Sequence, residues 1–218
     1  MMKSITLALV AALAIAAASA ATAAEPLKVT WVDLLPEERP YHDPFAALEY
    51  GQISDLAQLF RIEALGTEET AEANSAKAKE IRERLASQGL DPDWLFEQRV
   101  IVMNQRRLAA TEPNPELLGK NVSIPGYLLP LEMVDQKVVE FLLVPTVGAC
   151  IHTPPPPANQ MVLVRYPNGF EVDGLYTPVL ISGEMRAQRQ TQALQLVDGQ
   201  ADIETTYLVD ALTVEAFE

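Results

Sequence analysis

A cysteine and a histidine lie two residues apart in a segment that ends in a run of prolines. Cys150 and His152 fall within the stretch from Gly148 to Gln160, which reads Gly-Ala-Cys-Ile-His-Thr-Pro-Pro-Pro-Pro-Ala-Asn-Gln. If this segment is extended, both side chains leave the same face, about 6.6 Å apart at the backbone. A thiolate and an imidazole suit zinc or copper better than magnesium or calcium. The pair is therefore a candidate transition-metal site.

Two ligands do not complete a metal site, so the remaining ligands must come from elsewhere in the chain. The candidates with suitable side chains are His42, Asp43, Glu132, Asn159 and Gln160. Each has a simpler interpretation: an exposed imidazole, a surface acid on a strand, or amides that satisfy loop carbonyls.

Cys150 also allows two interpretations that need no metal. It is the only cysteine of the chain, so no intramolecular disulfide can form. A free cysteine is commonly buried as a small apolar residue. Alternatively, Cys150 is a nucleophile whose thiol pKa is lowered by His152, which would make the protein a thiol enzyme. The prolines, Pro154 to Pro157, either hold the segment rigid beside a site or merely bridge two strands.

Composition limits the classes of partner. The chain has 218 residues, 49% of them hydrophobic, and a formal net charge of -14. An acidic protein repels a phosphate backbone unless its basic residues are concentrated in one patch, and only Arg106 and Arg107 are adjacent basic residues. Nucleic acid is therefore excluded as the leading partner.

The first 24 residues are typical of a secretory signal peptide. Lys3 precedes an apolar stretch from Ile5 to Ala18, and small residues that fit a cleavage site follow. The stretch is shorter than the roughly 20 residues that a membrane span needs. We therefore expect an exported protein that begins near Glu25 and has no membrane span after signal removal.

The region from residue 25 to 117 is expected to contain a strand, a loop and helices. Leu27 to Val32 alternates like a short strand, and a proline-rich loop follows. Helical spacing is clear from Thr70 to Ser87, whereas Ile53 to Leu65 fits either a short helix or an irregular segment. Asp91 and Pro92 predict the start of a second short helix through Gln98, with Val100 to Met103 joining a strand. Trp31 and Trp94 are expected in the core.

The region from residue 118 to 218 is expected to be all β. Apolar residues recur there at two-residue spacing between prolines and glycines, which predicts strands at Asn121–Leu129, Val138–Val144, Met161–Arg165, Thr177–Arg186 and Thr206–Ala216. Five strands suit a small Greek-key barrel, and Gly126 and Gly183 suit sharply coiled strands. The expected interior positions recur at mostly two-residue spacing: Val122, Ile124, Leu128, Phe141, Leu143, Val162, Val164, Val179, Ile181, Leu208, Leu212 and Val214. The predicted fold class is α+β: a C-terminal five-stranded OB-like β-barrel with an N-terminal helical extension.

Three stretches together resemble a known family. They are Leu118 to Tyr127, Glu140 to Pro145, and the cysteine–histidine–polyproline motif from Gly148 to Gln160. This pattern resembles a family of exported bacterial proteins described as a domain of unknown function. The resemblance implies a periplasmic protein of Gram-negative bacteria with a role beside envelope transport. It assigns no catalytic residues.

These observations favour a non-enzymatic binding or accessory protein of the periplasm. In this hypothesis Cys150 and His152 contact zinc or copper, and an envelope transporter or another periplasmic protein is the partner. The alternatives are a thiol-dependent enzyme that uses Cys150 with His152, and a purely structural or protein-interaction domain.

Overall fold

The computed structural model describes residues 25–65, 71–148, 155–172, 174–196 and 199–217. Within these residues the fold is mixed α+β, with three α-helices and a six-stranded sheet, of which one short strand precedes the helices and five strands follow them. The α+β class predicted from the sequence is therefore confirmed. None of the helices in the described part of the chain is long and apolar enough to cross a membrane.

The helix predicted from Thr70 to Ser87 is confirmed, whereas the other two helices are longer than the sequence pattern predicts. The three helices are α1 (Tyr50–Leu65), α2 (Ala71–Ser87) and α3 (Pro92–Thr111). Asp91 caps α3 as predicted, because its side chain accepts hydrogen bonds from the backbone N–H groups of Asp93 and Trp94.

Two expectations for α3 were wrong. Val100 to Met103 continue the helix instead of joining a strand, because the segment contains no proline or glycine that would end it. Trp94 lies outside the core and is 45% exposed, whereas Leu95 beside it is buried. The register of the helix directs Leu95 inward and leaves Trp94 on the outer side.

The helices share a small apolar core of their own. It consists of one buried side chain or more from each helix: Leu56, Leu59, Ala78, Ile81, Leu85 and Leu95. Arg82 on α2 reinforces this packing, since its guanidinium contacts Glu63 of α1 and Asp93 of α3. The helical spacing of Ala71, Ala78, Ile81 and Leu85 predicts the inner face of α2, and the last three are indeed buried, while the side chain of Ala71 is not among the described ones.

All five predicted C-terminal strands exist, and four of them extend well beyond the predicted ends. The sheet contains β1 (Leu27–Lys28), β2 (Asn121–Val134), β3 (Lys137–Val144), β4 (Val162–Phe170), β5 (Thr177–Leu196) and β6 (Gly199–Ala216). β1 pairs in parallel with β2. It is only two residues long, because the chain enters a 3₁₀ turn after Trp31.

The strand pairing returns to its starting point. The order is β1-β2-β3-β4-β6-β5, and β2 also pairs with β5, so each strand from β2 to β6 has a neighbour on both sides. The pairing of β4 with β6 is parallel, and the other pairings within this cycle are antiparallel.

The alternating residues of these strands form two apolar clusters. The larger includes Val122, Ile124, Phe141, Val162, Val164, Val179, Ile181 and Val209. The smaller includes Leu142, Val144, Leu163 and Leu208, which lie on the opposite faces of the same strands. The predicted interior positions on β2, β3 and the start of β5 fall in the larger cluster.

The predicted interior of β6 was wrong at two positions. Leu208 belongs to the smaller cluster and Leu212 is 66% exposed, while Tyr207 and Val209 point into the larger one. The cause is a β-bulge: Ser182 pairs with Thr213 but Gly183 pairs with Ala211, so Leu212 is the extra residue. The extra residue inverts the alternation between the two ends of β6.

Candidate functional site

The central residues of the predicted metal site lie outside the described residues. Cys150 and His152 belong to positions 149–154, whose structure is not described. Among the residues that are described, no group of three or more histidine, cysteine, aspartate or glutamate side chains could hold a metal ion. The surroundings of the motif must therefore be followed through its flanking residues.

Asn159 connects the end of the proline run to the last turn of α3. The residue lies in a 3₁₀ turn, Ala158–Gln160, and its side chain is fully buried. Its Nδ2 donates hydrogen bonds to the backbone carbonyls of Ala109 at 2.8 Å and Glu112 at 3.0 Å. These carbonyls lie where a helix end leaves acceptors without helical partners. Asn159 thus acts as a tertiary cap of α3.

Two further side chains of the sheet region satisfy neighbouring carbonyls. Gln160 donates from Nε2 to the carbonyl of Trp31 at 2.9 Å. Thr206, on β6, donates to the carbonyl of Thr111 at 2.8 Å. The alternative in which Asn159 and Gln160 satisfy loop carbonyls is therefore confirmed for their Nδ2 and Nε2 groups.

The oxygen of the Asn159 side-chain amide, in contrast to its nitrogen, forms no hydrogen bond with the described residues. Its Oδ1 is buried and has no hydrogen-bond partner among the described residues. A buried amide oxygen without a donor loses the hydration that it would have in water, so such atoms are uncommon in folded proteins. In the sequence, Asn159 comes a few residues after the undescribed positions 149–154.

The loop that carries His42 and Asp43 also approaches α3. Asp43 caps the 3₁₀ turn Pro44–Ala47 and accepts a hydrogen bond of 2.5 Å from Nη2 of Arg106. Partial desolvation raises the pKa of Asp43, but the bonds from Arg106 and from the N–H of Phe45 outweigh it and hold that pKa below its ordinary value. His42 is exposed, as predicted.

The described candidate residues do not all lie at the same place in the fold. Arg106 and Ala109 are three residues apart on α3, so the contacts made by Asp43 and Asn159 are separated by about 4.5 Å of helix rise. Glu132, in contrast, is exposed and pairs with Glu140, four residues before the end of β3 at Val144. That distance is about 13 Å along the strand. Glu132 therefore lies toward the opposite end of β3 from the motif.

The helical region contains a cavity that the sequence analysis missed. It has a volume of about 630 Å³ and lies between α1, α3 and the turn after Asp43. Apolar side chains, including Phe60, Phe96 and Val102, form much of its wall together with Arg61 and Arg99. A signal was present in the sequence, because Phe60–Arg61 and Phe96 with Arg99 repeat an aromatic–arginine pairing. This repeat indicates a shared cavity only if both segments are helices that face each other.

Comparison with known proteins gives one family. Residues 31–216 match the family described as protein of unknown function (DUF3299). A crystal structure of a DUF3299 family protein from Pseudomonas aeruginosa PAO1 is similar to this chain at 24% sequence identity and a TM-score of 0.49. The similarity covers 89% of this chain and 97% of that one. No curated protein matches. Since the family match spans most of the sequence, including the cysteine–histidine–polyproline motif, the chain belongs to the DUF3299 family.

Proposed function

We propose that this protein is an exported binding or accessory protein in which Cys150 and His152 bind zinc or copper(I). The motif supplies one thiolate and one imidazole two residues apart. Both ligand types suit these metals. The sequence does not identify the residues that complete the coordination; His42 is the candidate that the experiment below tests.

The observation that carries the proposal is that described residues on both sides of Cys150 and His152 are anchored in the fold. Val144 is buried in β3 before the motif, and Asn159 is held by α3 after it. Between them the proline run restricts the backbone further. A segment held in this way loses less conformational entropy on binding than a free loop does.

The orphaned Oδ1 of Asn159 gives a second line of support. A histidine that binds a metal through one ring nitrogen usually donates the other N–H to a carbonyl or carboxylate oxygen. Asn159 offers such an acceptor seven residues after His152. We therefore assign Asn159 a supporting role, and not that of a ligand.

The cycle of strand pairs supports the interpretation of β2 to β6 as an OB-like barrel. In strand order it runs first, second, third, fifth, fourth and back to first, with the third and fifth strands parallel. The motif then connects the second and third strands of the barrel. Connections between strands are where binding residues concentrate on such scaffolds.

A metal titration tests the proposal. We expect the purified protein to bind one equivalent of zinc or copper(I) in competition with a chromogenic chelator. Cys150→Ala and His152→Ala should each weaken binding strongly, whereas Met133→Leu, which removes an exposed thioether on β2, should not. Equal binding by the wild type and both motif variants would refute the proposal. His42→Ala reports separately whether His42 contributes a ligand.

The rival thiol enzyme makes a different prediction for the same cysteine. A nucleophilic Cys150 requires a thiol pKa well below the ordinary value of about 8.5. The rate of iodoacetamide alkylation of the metal-free protein against pH measures this pKa. An ordinary pKa, or no reaction, excludes the enzyme, while a strongly lowered pKa without metal binding favours it over our proposal.

Location and partner form the last part of the proposal. We propose the periplasm as the location because residues 1–24 are typical of a signal peptide, and an envelope transporter as the partner because of the family resemblance. Release of the mature protein by osmotic shock tests the location. Crosslinking in intact cells, followed by identification of the captured proteins, tests the partner. Retention in the cytoplasm would contradict both.

A further inference from the structure

The cavity beside α1 and α3 combines an apolar wall with basic side chains. Its volume of about 630 Å³ falls within the range of small-molecule sites. The apolar lining comes from both helices and from the turn after Asp43, through Phe45, Ile53, Leu56, Phe60, Phe96 and Val102. Such a wall buries a hydrocarbon chain favourably because apolar surface is removed from water.

The charge of the cavity is opposite to that of the protein. Three arginines line it, Arg61, Arg99 and Arg106, with Asp43 as the acidic residue among the lining side chains. Asp43 is already occupied, since it binds Arg106. The chain as a whole carries a formal net charge of -14. A basic cavity in an acidic protein concentrates anions locally.

Arg61 and Arg99 differ in their contacts from Arg106, the third arginine of the cavity. Among the described residues neither forms an ion pair, whereas Arg39, Arg82, Arg84, Arg106, Arg165 and Arg186 each do. Arg61 donates from Nε to the carbonyl of Ala57 in its own helix. The guanidinium of Arg99 lies over the ring of Phe60, 4.9 Å from its centre. Both charges are thus positioned at the cavity without a carboxylate partner.

We propose that this cavity binds a single-chain amphiphile with an anionic head group. The apolar wall takes the hydrocarbon chain, and Arg61 and Arg99 bind the head group. A planar guanidinium suits carboxylate and phosphate equally well, because it donates two parallel hydrogen bonds to either. The proposal uses neither Cys150 nor His152, so its test does not depend on metal binding.

Calorimetric titration with decanoate, below its micelle concentration, tests the proposal on the purified exported protein. We expect saturable binding of one decanoate per chain. Decanol, which has the same chain without the charge, should bind at least tenfold more weakly, and acetate should not bind measurably. Decyl phosphate distinguishes the two head groups: tighter binding than decanoate identifies a phosphate ligand, and weaker binding a carboxylate.

Variants assign the binding to this cavity. Arg61→Gln combined with Arg99→Gln should weaken decanoate binding at least tenfold. Ala57→Phe should abolish binding, because Ala57 lines the cavity and the larger side chain would fill it. Arg107→Gln is the matched control, because Arg107 lies on α3 but contacts Asn104 outside the cavity. Thermal unfolding of each variant verifies that it is folded.

Three results would overturn the proposal. They are the absence of saturable decanoate binding, equal affinity for decanol and decanoate, and unchanged affinity in a folded Arg61/Arg99 double variant. Cys150→Ala should bind decanoate normally, which separates a failure of this inference from a failure of the metal proposal.

Discussion

The hydroxyl of Tyr207 donates a hydrogen bond of 2.6 Å to the backbone carbonyl of Leu34, 173 residues earlier in the chain. The same hydroxyl accepts the N–H of Asn114 at 2.6 Å. Burial raises the pKa of Tyr207, although the bond from Asn114 lowers it in part, so the hydroxyl keeps its proton and remains a donor. A single buried side chain of β6 therefore binds both the N-terminal segment and the linker after α3.

Tyr207→Phe should destabilise the protein by about 2–4 kcal/mol, because it leaves one buried acceptor and one partly buried donor without their partner. Urea unfolding followed by circular dichroism measures this change. Tyr166→Phe, a partly buried tyrosine against the same core, is the matched control. A loss in Tyr207→Phe no larger than in the control would show that the bridge does not stabilise the fold.

Asn159→Ala should weaken the attachment of the C-terminal end of α3. The substitution removes two hydrogen bonds to the carbonyls of Ala109 and Glu112, and we expect a loss of about 1–3 kcal/mol. Hydrogen exchange of the last turn of α3 should increase with it. Asn104→Ala, on the exposed side of the same helix, should leave that exchange unchanged. Equal exchange in both variants would contradict the assigned cap.

The sheet could be predicted from the sequence because its residues alternate. The two-residue spacing of apolar side chains depends on local geometry and holds for β2 through β5. The bulge at Leu212 could not be predicted, since it depends on which residues of β5 oppose β6. Likewise, the length of α3 was underestimated because Val100 to Met103 are β-branched or apolar and fit either element locally.

The site was less predictable than the fold. The amides of Asn159 and Gln160 could be recognised as acceptable partners for loop carbonyls, but those carbonyls lie 50 and 129 residues away. The cavity at Arg61 and Arg99 arises from two helices whose facing sides are fixed by tertiary packing. The contacts of Asn159 and Gln160 have no local signal in the sequence, and the aromatic–arginine repeat of the cavity can be interpreted only when the pairing of the two helices is known.

Gly183→Ala should destabilise the protein strongly. A Cβ at this buried position of β5 would contact the carbonyl oxygen of Asp210 and lie 2.8 Å from Cα of Ala211, so the backbone of β6 would have to move. Gly51→Ala is the control, because nothing lies within 4 Å of its Cβ position in α1. That variant should be neutral or gain up to about 1 kcal/mol. Chemical unfolding compares the two, and similar stabilities would contradict the close approach of β5 and β6.

Asp55 should make the stability of the helices depend on pH. The hydrogen bond from Arg84 lowers the pKa of Asp55 below its ordinary value, despite the opposing effect of desolvation. A carboxyl whose pKa is lower in the folded state stabilises the protein above its unfolded pKa of about 4 and loses this effect as the pH falls. Asp55→Asn should therefore lower the melting temperature at pH 7, and by a smaller amount at about pH 3.

The control for this pH dependence is Asp202→Asn, an exposed aspartate of β6. It should shift the melting temperature little at either pH. A difference between wild type and Asp55→Asn that persists unchanged in acid would show that the ion pair with Arg84 is not its cause.

The coordination of zinc by the motif is measured most directly by X-ray absorption spectroscopy of the zinc-loaded protein. The proposal predicts one sulfur ligand at about 2.3 Å and nitrogen or oxygen ligands at about 2.0–2.1 Å. In Cys150→Ala the sulfur contribution should disappear, and in His152→Ala it should remain while an imidazole contribution is lost. A wild-type spectrum that contains only nitrogen and oxygen ligands would contradict the assignment of Cys150 and His152 as a metal site.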